Sequence, residues 1–404
     1  MTQNPVIKYP EFRKLFISRV VSAIGDKFFS LSLVWWVINN ISGYGLSIAM
    51  TAMFLPSVIF SPLMGTLSDR HNKKALMISA DILRAILLFI LFLLIYKNIL
   101  SFSILIAIVF LIYSFAPLFE TSVASSLWIL TSKEDLPAAT AIDSSSISIS
   151  NVFGAALGSV FIAMLGFKGS VILNSLTYLL SFIFVFMIKK ELKINTEIQS
   201  DYLKDLKDGF LYIKNNKTYI LKLLMFFGFL NFFVSPILMI IPTIIKFILE
   251  KDVKWLAIIE TFFASGTLIA SYLMSYKKDT EDNVKFLMIS VFFFALSFLF
   301  TAYSRTPLIT AFLIFICGLS ISAGNVLILS YFQKEIDDEY KGRFFSLVNT
   351  IVYSIMPLSF IASGFLIEKI GVKNTVIFNS FFAFILGIYG LTKLSRKHIS
   401  HLIS

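Results

Sequence analysis

About a dozen apolar stretches, each long enough to cross a bilayer, follow one another from Phe16 to Leu391 with only short polar breaks. A helix rises about 1.5 Å per residue and the hydrocarbon core of a bilayer is ~30 Å thick, so about 20 apolar residues make one crossing. That rhythm dictates an all-α polytopic membrane protein. The apolar fraction of 57% and charged fraction of 15% agree, since soluble domains carry ~25% charged residues. Function must then be read from the few polar residues left inside the spans.

Twelve spans are expected, at 14–38, 46–67, 75–96, 101–129, 144–166, 170–189, 219–248, 254–276, 284–304, 307–331, 344–367 and 372–392. The longest polar interruption, 190–218, divides them into an N-terminal half (1–189) and a C-terminal half (219–404). Within it Tyr202, Leu203, Leu206, Phe210 and Ile213 recur at helical spacing among lysines and aspartates, which predicts an amphipathic surface helix. That helix reads either as a strap between two rigid halves or as a solvated linker. A six-plus-six plan also predicts two structural repeats around a central pathway.

With the N-terminus in the cytoplasm, lysine and arginine favour the inner segments over the outer by about three to one. Both termini are therefore expected inside the bacterial plasma membrane. The formal charge of +11 is explained by topology and an anionic inner leaflet, without nucleic acid. Trp35, Trp36, Trp128 and Trp255 fall near span ends, as an aromatic belt does. The polar stretch Met1 to Lys14 carries no apolar signal core, so the first span is expected to serve as the insertion signal. The single cysteine, Cys317, excludes an intrachain disulfide, and the three scattered histidines do not suggest a metal site. No phosphate-binding loop or nucleophile–base set is present, which argues against an enzyme; no cofactor is expected.

A charge at mid-bilayer costs about 2.5–3.5 kcal/mol on insertion scales, so each one needs a reason. Asp26 and Lys27 lie near the middle of span 1. Neighbours on a helix diverge by about 100°, so the two are not expected to face one spot. At least one should meet an aqueous cavity or a partner helix. Arg19 lies close enough to the inner surface to snorkel. Asp81 and Arg84, three residues apart in span 3, are expected to form a structural charge pair. Glu120 and Glu260 read either as carboxylates able to load a proton after desolvation or as hydrogen-bonded packing groups. The serine-rich start of span 5 cannot face lipid, and its Gly154-xxx-Gly158 supplies a small-residue packing face.

Between spans 2 and 3 the chain reads Gly65-Thr66-Leu67-Ser68-Asp69-Arg70-His71-Asn72-Lys73-Lys74. This resembles G-x-L-x-D-R-x-G-R-R, the signature of the major facilitator superfamily, with Asn72 in place of a glycine. Gly65 is expected to permit close helix approach, and Arg70, Lys73 and Lys74 to anchor the loop. By the resemblance, Asp69 would contact the start of span 11, where Arg343 stands, as a cytoplasmic gate. Ser22-Ala23-Ile24-Gly25-Asp26, Leu136-Pro137-Ala138-Ala139-Thr140-Ala141 and Lys341-Gly342-Arg343-Phe344 look like the macrolide-efflux and siderophore-export branch of drug–proton antiporters. The resemblance implies the major facilitator fold and export of amphipathic small molecules in exchange for protons, with Asp26 as the branch's span 1 aspartate. A monomer surrounded by lipid is expected. Span 5 departs from the antiporter pattern, lacking its proline and last glycine. A lipid or lysophospholipid translocator on the same fold, and a non-transporting receptor or partner subunit, are the alternatives.

Overall fold

The computed structural model describes residues 4–193, 202–275 and 283–394. These residues are almost entirely helical, without a strand among them. Among the described residues, ten segments are long and apolar enough to cross a membrane. One of them, Asp338–Leu394, runs for 57 residues and holds two of the expected spans. Of the expected twelve, eleven match these segments, and 144–166 lies in the helix Leu136–Phe186.

Contacts divide the chain into two compact units, Met1–Ile41 with Ile48–Tyr202, and Ser42–Ser47 with Leu203–Ser404. The first unit begins with the short α1 (Pro5–Lys8) and α2 (Pro10–Asn40). Pro10 starts α2, where its missing N–H is no loss. Asn39 and Asn40 end it, their side-chain amides donating back to the Trp35 and Trp36 carbonyls at 2.7 and 2.8 Å. Then come α3 (Gly43–Arg70) and α4 (Lys73–Tyr96). Asn72 caps α4, its side chain accepting the Lys74 N–H at 3.0 Å. The expected fourth span is two helices, α5 (Phe102–Ser114) and α6 (Ala116–Leu130). Pro117 has no N–H to continue the ladder, so the helix breaks at Phe115.

The unit closes with α7 (Leu136–Phe186), 51 residues that would span about 77 Å if straight. It is not straight. Gly166 stands at φ 64, ψ −169, a backbone region open essentially to glycine alone. Side-chain pairings show the consequence. On the arm before Gly166, Ser150 donates to the Val20 carbonyl at 3.5 Å and Phe161 packs on Phe28 at 5.2 Å, so this arm runs with α2. On the arm after it, Phe167 stacks on Trp36 at 5.3 Å, Ser181 meets Ser18 at 2.8 Å, and the Met187 carbonyl accepts from Lys14 at 2.8 Å. That arm runs against α2. Helix α2 is thus clasped between the two arms of a hairpin.

The second unit repeats this device. Following α8 (Tyr202–Asn216) come α9 (Thr218–Val234), α10 (Ile237–Phe247), α11 (Val253–Ser275), α12 (Asn283–Thr301), α13 (Pro307–Glu335) and α14 (Lys341–Tyr389). Pro236 separates α9 from α10 as Pro117 separates α5 from α6. Helix α14 breaks at Gly371, φ 81, ψ 165. Its first arm meets α9 where Ile351 lies against Gly228, and its second runs against α9, with Phe382 on Phe233 at 4.9 Å and Tyr389 near Phe226 at 6.3 Å. The amphipathic helix expected in 190–218 is α8. It belongs to the second unit, where Tyr212 stacks on Tyr340 at 4.1 Å and donates its hydroxyl proton to Asp337 at 2.6 Å. Large apolar side chains such as Phe89 and Leu93 on α4, and Phe293 and Phe300 on α12, stand exposed, a surface suited to lipid tails.

Candidate functional site

A cavity of about 280 Å³ lies inside the first unit. Helices α2, α3, α4, α5, α6 and the first arm of α7 wall it, and Arg19, Asp26, Lys27, Arg84, Tyr113 and Glu120 are among its lining residues. Asp26 and Lys27 both reach it, contrary to the expectation that they face different surroundings. The clasp explains this. Asp26 turns toward the second arm of α7, where the Tyr178 hydroxyl and the Asn174 amide (3.4 Å) donate to it. Lys27 turns toward the first arm, where its stem lies on Gly154; a Cβ added there would stand 2.7 Å from the Lys27 Cβ. The cavity opens between these directions. A Cβ at Gly158 would likewise press on Phe28 and Leu31 at 3.2 Å, so both glycines sit at the α2 contact.

Asp81 and Arg84 form the expected pair at 2.6 Å. The pair does more than brace α4. Asp81 is fully buried, and its second oxygen accepts from Ser181 at 2.6 Å. Arg84, 3% exposed, lies over the Tyr178 ring at 4.2 Å and near Phe119 at 5.1 Å, with its Nη1 3.5 Å from the Tyr178 hydroxyl. One hydrogen-bonded chain therefore runs from Ser18 through Ser181, Asp81, Arg84 and Tyr178 to Asp26.

Arg19 does not snorkel. It is 5% exposed and clamped by two carboxylates, donating to Glu120 at 2.6 Å and to Asp143 at 3.0 Å. Glu120 keeps 54% of its side chain exposed at the cavity wall. Glu260 is buried in α11 of the second unit. Sequence reasoning missed Asp143, Asn174 and Tyr178. Asp143 is hidden at the head of the serine run. Asn174 and Tyr178 are four residues apart, hence on one face of an otherwise apolar helix, a signal the sequence does carry.

The signature loop departs from expectation at Gly65. Among the described residues a Cβ at Gly65 would meet nothing within 4 Å, so none of them makes a close helix approach there. Lys73 is fully buried, donating its Nζ to the Ser68 carbonyl at 3.1 Å and its backbone N–H to the Leu192 carbonyl at 3.0 Å. It caps the end of α3 and ties it to the segment after α7. Lys74 donates to the Ile188 carbonyl at 2.7 Å, and Arg70 is exposed. The Asp69 side chain lies outside the described residues. Arg343 sits over the Tyr340 ring at 5.5 Å, its backbone against Gly209 of α8.

The sequence profile of the Major Facilitator Superfamily matches residues 15–360. The chain belongs to this superfamily. Among its superfamily relatives, macrolide efflux protein A of Streptococcus pyogenes is 26% identical over 378 residues, covering 90% of this chain and 91% of the relative. A putative bacilysin exporter of Bacillus subtilis is 25% identical over 398 residues, covering 97% and 96%. Among solved structures, the nucleoside transporter NupG superposes with a TM-score of 0.77 at 12% identity, covering 94% of this chain and 98% of that one. A bacterial homolog of the human lysosomal transporter Spinster gives 0.75 at 13% identity, covering 99% of both. The chain is thus a multi-pass membrane transporter of the superfamily and not an enzyme.

Proposed function

We propose that this transporter exports amphipathic small molecules of the macrolide or siderophore type from the bacterial cell in exchange for protons, by alternating access. The observation that carries the proposal is the charge balance around the cavity. Asp26 and Glu120 line it with Arg19, Lys27 and Arg84, and two more carboxylates, Asp81 and Asp143, pair with Arg84 and Arg19 from behind the wall. With every group ionised the cluster holds one negative charge in excess, which a low-dielectric interior disfavours. Binding one proton, or one cationic substrate, restores neutrality. Competition between the two for one charge is what an exchanger requires. The similarity to efflux relatives supports the outward direction, and the lysine–arginine bias supports cytoplasmic termini.

Asp26 faces both the cavity and the buried chain, so it is the proposed proton carrier, with Glu120 and Lys27 on the substrate side. Glu260 is retained as a second coupling candidate in the other unit, and Asp69 with Arg343 as the cytoplasmic gate; unchanged transport by Asp69→Asn would remove the gate. The deciding experiment is accumulation of a labelled macrolide in efflux-deficient bacteria expressing wild type or Asp26→Asn, with and without a protonophore. Low accumulation that rises with the protonophore and with the substitution is expected. Four equal accumulations at matched membrane expression would reject macrolide, and the same assay repeated with siderophores and lysophospholipids would then test the export reading itself.

A further inference from the structure

We infer that Asp81 and Tyr178, neither of which lines the cavity, are positioning residues that set the proton affinity of Asp26 from opposite directions through Arg84. The inference rests on the proton-exchange reading and names the device that would tune it.

The geometry fixes the direction of each hydrogen bond. A guanidinium only donates, so where Arg84 Nη1 approaches the Tyr178 oxygen, at 3.5 Å, that oxygen accepts. The hydroxyl proton of Tyr178 is thereby left to point at Asp26 Oδ1. A proton donated to a carboxylate favours its ionised form. Tyr178 therefore holds Asp26 toward the carboxylate. Arg84 acts in the same sense through its charge, but that charge is divided. Its Nη2 donates to Asp81 at 2.6 Å, the stronger contact, and Ser181 donates to the other Asp81 oxygen at 2.6 Å, a contact that suits a carboxylate. Asp81 draws the cation away from Asp26 and adds a second negative charge nearby. It thus favours the protonated form of Asp26.

The remaining charged or titratable groups around Asp26 do not replace this pair. Arg19 is committed to Glu120 and Asp143. Lys27, beside Asp26 on α2, turns to the Gly154 arm. Tyr113 of α5 lines the cavity without a hydrogen bond to Asp26 among the described residues. Arg84 itself cannot move to favour one partner freely, since the Tyr178 and Phe119 rings pack against its guanidinium at 4.2 and 5.1 Å.

The test reads proton binding and needs no substrate. The carboxylic acid C=O band of the purified full-length protein is titrated with pH by infrared difference spectroscopy. Its component absent from Asp26→Asn and present in Glu120→Gln reports Asp26. Tyr178→Phe, which removes one charge-assisted hydrogen bond, is expected to move that midpoint up by about one pH unit. Asp81→Asn, which returns the Arg84 charge to Asp26, is expected to move it down by a similar amount, and Asp81→Glu to restore much of the wild-type value. Loss of packing alone would move both variants the same way. Shifts in one direction, no shift in either, or no Asp26 component between about pH 4 and 9 would each overturn the inference. Should Asp81→Asn not fold, Ser181→Ala, which removes the hydrogen bond to the Asp81 carboxylate, takes its place and is expected to move the midpoint down. Failure of the macrolide assay with opposite midpoint shifts would leave this device standing and reject only the proposed substrate.

Discussion

The two units share a plan and differ in chemistry. Each clasps its first long helix between the arms of a hairpin broken at one glycine, Gly166 in the first and Gly371 in the second. In the first unit the clasp encloses ions: Arg19, Asp81 and Arg84 are all buried, and a polar chain crosses from α2 to α4 and α7. In the second it encloses rings. Phe233 meets Phe378, Phe382 and Phe232, and Phe292 meets Phe384. Glu260 is the one buried charged side chain of that unit among the described residues. The fold therefore does not depend on what fills the clasp. Backbone reversal and close small-residue contacts build it, and buried charge is concentrated in one half.

The sharpest way to break this contrast is to remove the central cation of the first unit. Arg84→Ala leaves Asp81 and Asp26 facing each other without a counter-charge. A loss of about 3–5 kcal/mol is expected from breaking one partner of a buried ion pair. Thermal unfolding of the detergent-purified protein measures it, and a change below about 1 kcal/mol would mean that water already solvates the cluster.

The matching change in the second unit is Phe233→Ala. Ring packing is lost there too, but a bilayer is as apolar as the core it replaces, so little transfer free energy is at stake. A smaller loss, about 1–3 kcal/mol, is expected in the same assay, mostly from the unfilled cavity. A loss as large as that of Arg84→Ala would show that aromatic packing in one unit matches ionic pairing in the other.

A third test concerns the shared element. Alanine at Gly166 or at Gly371 meets no neighbour within 4 Å among the described residues, so the backbone conformation is what resists it. Each substitution is expected to cost about 1–2 kcal/mol, and the two costs are expected to be equal. Unequal costs would mean that the hairpins are held by different interactions despite their common geometry.

How much of this is readable from the chain depends on the kind of interaction. Span positions are legible because the bilayer imposes one length on every crossing. The Asp81–Arg84 pair is legible because helix geometry alone brings residues three apart together. The rest of the site is not. Arg19 joins residues 101 and 124 positions away, and no local rule places Glu120 and Asp143 beside it. The joint approach of Asp26 and Lys27 to one cavity is invisible as long as α2 is considered a lone rod. Its two faces converge only because the arms of α7 hold the walls apart. Lys73 reads in the sequence as a loop anchor or gate residue, and its contact with the α3 end and the segment returning after α7 is a long-range arrangement that no local rule announces.

The smallest effect lies in the polar segment that leads into each unit. Before α2, Lys8 and the Tyr9 hydroxyl both donate to Asp135, at 2.5 and 2.8 Å. The Lys8 hydrogen bond, reinforced by Tyr9, holds the Asp135 carboxyl below its ordinary range and raises the Lys8 ammonium above its own. The depressed carboxylate contributes anchoring above its unfolded pKa and loses it as pH falls through the folded one. The raised lysine contributes below its unfolded pKa and loses it as pH rises through the folded one. The segment should therefore stay docked across neutral pH and release first in acid. Before α9, by contrast, α8 is held by the Tyr212–Tyr340 stack, which carries no charge to lose. Amide exchange, corrected for intrinsic rates, is expected to quicken at residues 5–9 below about pH 4 while residues 206–216 hold. Asp135→Asn should reproduce the first change at neutral pH. Equal acid release of both segments would show that α8 relies on its Tyr212–Asp337 hydrogen bond rather than on stacking, and would bring both leading segments under one mechanism.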